Sequence, residues 1–194
     1  MTDSPWRRHS RRIAYENAWV TVLHDEVTRP DGEPGIYGVV HFANLAIGVV
    51  ALDDQDRVVL VGQFRYTLDV WSWEIPEGGV PVGEDPLDGA KRELREETGL
   101  DASSWAELAR VHLSNSVTDE AGILYLATGL TAGDPSPEGT ERGIEIRRVS
   151  FPEALAMTFD GRITDALSVV GLQRVALARI AAVRDAVRID EEVG

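Results

Sequence analysis

Residues 76–100, PEGGVPVGEDPLDGAKRELREETGL, constrain the fold more tightly than any other stretch. Asp85 followed by Pro86 is a strong helix start, because Asp accepts a hydrogen bond at the cap and Pro is tolerated at the first helical position. Gly99 supplies the matching stop, since Gly takes the left-handed conformation that closes a helix. Between them Leu87, Ala90 and Leu94 form an apolar stripe. Glu93, Glu96 and Glu97 then share a neighbouring face about 100° wide, and Arg92 lies about 40° from Glu96 on the same wheel. Like charges at that spacing repel, so the face needs something cationic to hold. Three carboxylates at i, i+3 and i+4 offer hard oxygen ligands to one point, which suits Mg²⁺ or Mn²⁺. Gly78 and Gly79 let a loop backbone pass close by, so that a carbonyl such as that of Glu77 joins the set. Mg²⁺ held by few protein groups recruits phosphate oxygens, so such a site suits a diphosphate. On residue types alone, a solvated helix face laced by salt bridges within KRELREE is the competing reading.

The 194 residues suffice for one domain with an appendage, or for two small domains sharing a core. A formal charge of −14 disfavours nucleic acid and anionic lipid as partners, and no window has the apolar length to cross a membrane. The absence of cysteine excludes disulfides, thiol catalysis and zinc–thiolate sites, and fits a cytoplasmic chain. Paired arginines in MTDSPWRRHSRRIAYENAW are not followed by an apolar run, so this segment is expected to be a mobile basic arm.

WVTVLHDEVTRPDGEPGIYGVVHF alternates about a turn and reads as a hairpin, while LAIGVVAL and RVVLVGQFRY read as a second, more buried one. WSWEIPEGG is a short strand running into a glycine loop. WAELARVHL, GILYLATGL and IEIRRVSF are further strands, and FPEALAMTFDG is a short helix. TDALSVVGLQRVALARIAAVRDAV closes the chain as a long helix capped by Thr164 or Asp165. The irregular alternation favours an α/β (α+β) fold, a mixed sheet between helices. We expect a basic arm and β hairpin over 1–43, a main domain over 44–187 and a frayed tail over 188–194.

Gly78, five residues, Glu84, seven residues, then Arg92-Glu93-Leu94-x-Glu96-Glu97-x-Gly99-Leu100 matches the Nudix box at every defined position. The chain resembles a Nudix hydrolase, and GQFRYTLDVWSWEIPEGG with the preceding hairpin looks like the ADP-ribose pyrophosphatase branch, which includes enzymes acting on GDP-mannose. The resemblance implies a Nudix-type α/β/α sandwich with an N-terminal antiparallel β appendage that packs on the partner in a homodimer. It also implies Mg²⁺-dependent cleavage of a nucleoside diphosphate sugar, with ADP-ribose giving AMP and ribose 5-phosphate. GDP-mannose or another nucleotide sugar is the alternative substrate, and a nucleotide-binding regulator without catalysis is the distant one.

Carried over residue by residue, Glu93 and Glu97 are principal metal ligands, Glu96 a ligand through water and Glu77 a carbonyl ligand. Arg92 positions the glutamates, and Glu84 anchors the loop. The general base comes from SPEGTERGIEI, with Glu138, Glu141 and Glu145 as candidates and Glu141 first; Glu145 is otherwise an outward strand residue. Arg65 contacts phosphate or its supporting carboxylate, or simply pairs with Glu74. Glu120 matches an acidic position near the terminal sugar, and Trp19 stacks on a base or packs between subunits. One departure stands out. Many members of the branch carry Ser-Pro-Gly before that acidic position, whereas this chain has Asn115 and Ser116 in place of the proline and glycine.

Overall fold

The arginine-rich N-terminus is a strand, not a mobile arm. The computed structural model describes residues 3–133 and 143–193, with side chains through residue 182. In it β1 (Arg7–Glu16) pairs antiparallel with β2 (Val20–Thr28), which pairs with β3 (Pro34–Phe42) across the expected turn. Every residue of β1 is exposed, so burial does not hold it. The ladder does, together with Arg11, whose Nε and Nη2 each donate to a different Asp25 oxygen at 2.7 Å. Of the apolar residues in this sheet only Val27 is buried.

The body is built on two sheets. β4 (Asn44–Ala51) lies between β7 (Glu77–Pro81), antiparallel, and β9 (Ala121–Ala132), parallel; β8 (Leu100–His112) pairs with β9 at the edge. β5 (Arg57–Arg65) lies between β6 (Val70–Glu74) and β10 (Glu145–Ser150), both antiparallel to it. Of the expected β4–β5 hairpin only the turn forms, closed by the antiparallel bridge of Leu52 to Val58 and by Asp53 N donating to Arg57 O at 3.0 Å; the strands themselves enter different sheets. β4 is apolar and buried along most of its length, and it satisfies its backbone with distant partners on both sides.

Side-chain alternation along the central strands divides the core in two. Ile47, Val49 and Val59 face α1 (Pro86–Thr98), packing with Ala90, Leu94 and Leu100. Val50, Val58 and Leu60 face α2 (Phe151–Asp160) and α3 (Ala166–Val193), packing with Ile75, Leu124, Met157 and Leu172. The result is the α/β/α layering expected. Asp165 caps α3, accepting from Ser168 N at 2.7 Å through its side chain and from Val169 N at 3.0 Å through its carbonyl. The helix continues to Val193, through the segment expected to fray. Among the described residues no helix is long and apolar enough to cross a membrane.

The N-terminal sheet is tied to the body through the connection between β8 and β9. Val40 N donates to Val117 O at 2.8 Å, and Tyr37 Oη to Ser116 O at 2.6 Å. His41 Nδ1 lies 2.7 Å from Asp119 Oδ2. Asn115 and Ser116 thus sit in a loop clamped onto β3.

Candidate active site

Helix α1 is placed by its caps and by one close approach. Asp85 accepts from Leu87 N at 2.9 Å and Asp88 N at 3.3 Å, and Gly99 turns left-handed at φ 66°. A Cβ on Gly89 would stand 2.2 Å from Val80 Cγ2, so this glycine lets the helix lie against β7. That contact turns Glu93 and Glu97 inward, leaving them 5% and 8% exposed.

Burying two carboxylates one turn apart is unfavourable unless each is hydrogen-bonded or paired. Arg92 Nη1 donates to Glu93 Oε1 at 2.8 Å and to Glu96 Oε2 at 3.0 Å. Its Nη2 donates to Gly79 O at 3.1 Å, and its Nε to Glu84 Oε1 at 3.3 Å. Arg92 therefore joins two box glutamates to the segment before the helix, and Glu84 anchors the arginine. Glu97 Oε2 accepts from Glu77 N at 3.0 Å. Gly78 and Gly79 lie not in a loop but in β7, opposite Ile47 and Ala46. The close approach expected of them is present: a Cβ on Gly78 would stand 2.2 Å from the Glu93 carboxyl carbon.

A second charged group stands beside this one. Arg65 Nε donates to both Glu74 oxygens at 2.9 and 3.0 Å, and its Nη2 donates to Glu74 and, at 2.7 Å, to Glu77 Oε1. The pairing with Glu74 weighed from the sequence is thus formed and extended to Glu77. The other Glu77 oxygen is buried without a hydrogen-bond partner. Burial, followed by the neighbouring charges of Asp165 and Glu74, pushes the Glu77 carboxyl well above the usual carboxylate range.

Arg65, Glu77, Gly78 and Gly79 line a cavity of about 530 Å³ whose other walls include Trp19, Phe42, Glu120 and Asp165. Trp19, in the turn joining β1 and β2, and Phe42, at the end of β3, bring the N-terminal unit into the cavity wall. Burial and the charge of Asp165 raise the Glu120 pKa. From the sequence Asp165 reads only as a helix cap; nothing local in TDALS signals that it also faces the cavity. Glu138 and Glu141 lie outside the described residues. Glu145 opens β10 opposite Gly62, is exposed, and pairs with Arg147 at 3.6 Å. It does not line the cavity and is the outward strand residue of the alternative reading.

The donor set fits a hard divalent ion. It consists of carboxylates and backbone carbonyls, with a buried Glu77 oxygen that lacks a partner and a cradle at Gly78 that a Cβ would fill. Among the described residues no three His, Asp or Glu side chains are gathered closely enough to hold an ion as they stand. Arg92 and the Glu77 amide hold the box carboxylates instead, and these are the bonds a bound ion would have to replace.

Residues 43–167 match the family model of the NUDIX domain, which covers more than half of the chain. The chain belongs to the NUDIX family. Ahead of the Nudix domain, residues 6–40 match the nucleoside diphosphate sugar hydrolase N-terminal domain, so the three-stranded sheet has a family model of its own. An ADP-ribose pyrophosphatase of Mycobacterium tuberculosis is 33% identical over 178 residues, covering 90% of this chain and 85% of that protein. A CMP-5'-(N-acetyl-N-hydroxy-3-aminopropyl)phosphonate hydrolase of Streptomyces rubellomurinus is 29% identical over 170 residues, covering 88% and 82%. A crystal structure of an ADP compounds hydrolase superimposes with a TM-score of 0.84 at 16% identity, covering 94% of this chain and 98% of that one, and shares the fold. This chain is a Nudix hydrolase, and Nudix hydrolases generally use a divalent metal ion.

Proposed function

We propose that this Nudix hydrolase cleaves the diphosphate bond of a nucleoside diphosphate sugar, ADP-ribose to AMP and ribose 5-phosphate being the leading reaction. GDP-mannose or another nucleotide sugar is the alternative substrate. The observation that carries the reading is the inward turn of Glu93 and Glu97 behind Gly78, at the wall of a nucleotide-sized cavity. The similarity to the M. tuberculosis ADP-ribose pyrophosphatase supports the choice of substrate.

In this reading Glu93 and Glu97 hold the ion directly, Glu96 through water and Glu77 through its carbonyl. Bound Mg²⁺, with Mn²⁺ as substitute, would activate a water and offset diphosphate charge. Arg92 orients the glutamates from the edge of the site. Arg65 is already shared between Glu74 and Glu77, and Glu120 and Asp165 add carboxylates to the cavity, so a diphosphate entering it needs added positive charge. Water adds its oxygen to one phosphorus, the bridging P–O bond breaks, and the bridging oxygen leaves on the other phosphate. Glu141 is the proposed acceptor of the water proton. Glu120 accepts from sugar hydroxyls, and Trp19 offers a ring face to the base.

A homodimer belongs to the same proposal. Ile13, Tyr15 and Ile36 are exposed on the N-terminal sheet, and a second copy is the proposed cover. So does a two-part organisation, with the sheet to residue 43 and the hydrolase body after it. A cytoplasmic location rests on the cysteine-free composition.

The test is a panel of ADP-ribose, GDP-mannose, NADH, FAD and nucleoside triphosphates with and without Mg²⁺. Metal-dependent release of a nucleoside monophosphate from a nucleotide sugar is expected. Failure of every diphosphate to turn over with metal present would overturn the reading, and tight binding of unchanged nucleotide would favour a regulator.

A further inference from the structure

We propose that Ser168, in the first turn of α3, is a positioning residue for the segment that carries Glu77. This rests on the reading above, in which Glu77 belongs to the metal-binding wall. β6 ends at Glu74 in one sheet and β7 begins at Glu77 in the other, so Ile75 and Pro76 cross between sheets and belong to neither ladder. Backbone groups buried in such a crossing must find partners outside a ladder.

Each residue of the crossing is pinned from a different element. Ile75 N donates to Ser168 Oγ at 2.9 Å, from α3. Pro76 has no N–H, and its carbonyl accepts from Val49 N at 2.8 Å, from β4. Glu77 N donates to Glu97 Oε2 at 3.0 Å, from α1. The residues on either side, Glu74 and Glu77, are the two carboxylates that Arg65 grips. Three residues apart in sequence, they reach one guanidinium because the crossing holds this shape.

Ser168 is built into place. It is 0% exposed, and its own N–H donates to Asp165 Oδ2 at 2.7 Å, which fixes the first turn of the helix. The helix comes close to β4 because Gly171 clears its path: a Cβ there would stand 2.8 Å from Val50 Cγ2. Gly48 makes room for Ile75 itself, since a Cβ on it would stand 3.0 Å from Ile75 Cδ1. Losing the hydroxyl leaves a buried N–H without an acceptor and frees the crossing to move relative to α1. Small displacements of a ligand-bearing segment lower rate more than substrate affinity, so the effect belongs in kcat and metal dependence.

The experiment compares Ser168→Ala with Ser168→Thr, which keeps a hydroxyl acceptor, and with Val175→Ala, a core change on the same helix outside the site. Amide hydrogen exchange at Ile75 and Glu77 is read in the full chain, alongside Tm, kcat, KM and the Mg²⁺ concentration for half-maximal rate. Ser168→Ala is expected to speed exchange at both amides and to lower kcat about 10- to 100-fold, with KM within about threefold. Its half-maximal Mg²⁺ concentration rises. Val175→Ala lowers Tm without these changes, and recovery of slow exchange in Ser168→Thr supports the hydroxyl as the cause. Exchange and kcat in Ser168→Ala no different from those in Val175→Ala overturn the proposal, whatever Ser168→Thr does. Should no variant, wild type included, turn over a diphosphate, the functional reading falls, while the exchange rates at Ile75 and Glu77 still judge the positioning role.

Discussion

Helix α1 and the three-stranded sheet β1-β2-β3 both carry dense charge in short segments, yet they dispose of it differently. On α1 the glutamates at 93 and 97 are drawn into the protein and held by Arg92 and a backbone amide. On β1 the arginines at 7, 8 and 12 stay in solvent, and only Arg11 reaches a buried partner, Asp25. Apolar groups show the reverse. α1 delivers Ala90 and Leu94 to a core shared with two sheets, while Ile13, Tyr15 and Ile36 of the sheet remain exposed. Buried carboxylates that must be held against their own desolvation mark where chemistry is prepared. Exposed apolar residues on a thin sheet mark where another surface is needed.

The largest effect should come from the buried side of this contrast. Glu97→Gln keeps an oxygen able to accept from Glu77 N but removes a charge offered to the metal. We expect a loss on the order of 10³-fold in kcat, corresponding to the several kcal/mol attributed to metal stabilisation of charge in the transition state. Steady-state kinetics at saturating Mg²⁺ checks it, and near-normal turnover would remove Glu97 from the ligand set. The exposed side has its own strong test. The wild-type mass by light scattering should be twice the 21.2 kDa of one chain. Ile13→Asp should halve it, since an exposed apolar residue is tolerant of charge only where nothing covers it. A wild-type monomer at micromolar concentration ends the dimer proposal.

Gly78→Ala sharpens the contrast at smaller amplitude. The added methyl would meet the carboxylate end of Glu93, the far tip of a flexible side chain, at 2.2 Å. The tip can swing aside, so stability should fall by no more than about 1 kcal/mol, at the low end for overpacking. The carboxylate then no longer sits where the ion needs it, and activity should drop about 10- to 100-fold. Chemical denaturation and kinetics on the same variant separate the two; a large stability loss with full residual activity would show that Gly78 serves packing alone.

What could be read from the sequence divides along the same line of local against distant cause. The caps at Asp85 and Gly99, the stripe Leu87–Ala90–Leu94 and the glutamate face depend on residues within one helix, and each stands where the spacing put it. The identity of β1 was hidden because its sequence has no apolar face and its ladder shifts register twice, so only pairing to β2 makes it a strand. DDQD does turn the chain back, but beyond the turn β4 pairs with β9, over seventy residues away. Asp165 reads locally as a cap and Ser168 as an ordinary helical serine. Their roles appear only when α3 is laid across the crossing from β6 to β7.

The smallest predicted effect concerns the one place where the exposed sheet buries charge. The hydrogen bond from Arg11 holds the Asp25 carboxyl below its ordinary value of 3.8, against the opposing effect of burial. A carboxyl depressed in the folded state contributes stability that is complete above the unfolded pKa and is lost as pH falls through the folded one. The contribution of Asp25 to the attachment of β1 should therefore be constant from neutrality down to about pH 4 and weaken only below it. Trp6, packed edge-on against Tyr37 at 5.1 Å, reports on that end of the sheet. In protein carrying 5-fluorotryptophan, the step in its ¹⁹F resonance that belongs to Asp25 should come only in stronger acid. Arg11→Gln removes the stabilising partner, so its transition should move up in pH, into or above the ordinary carboxylate range. An unchanged transition in that variant would mean that the ladder alone holds the strand.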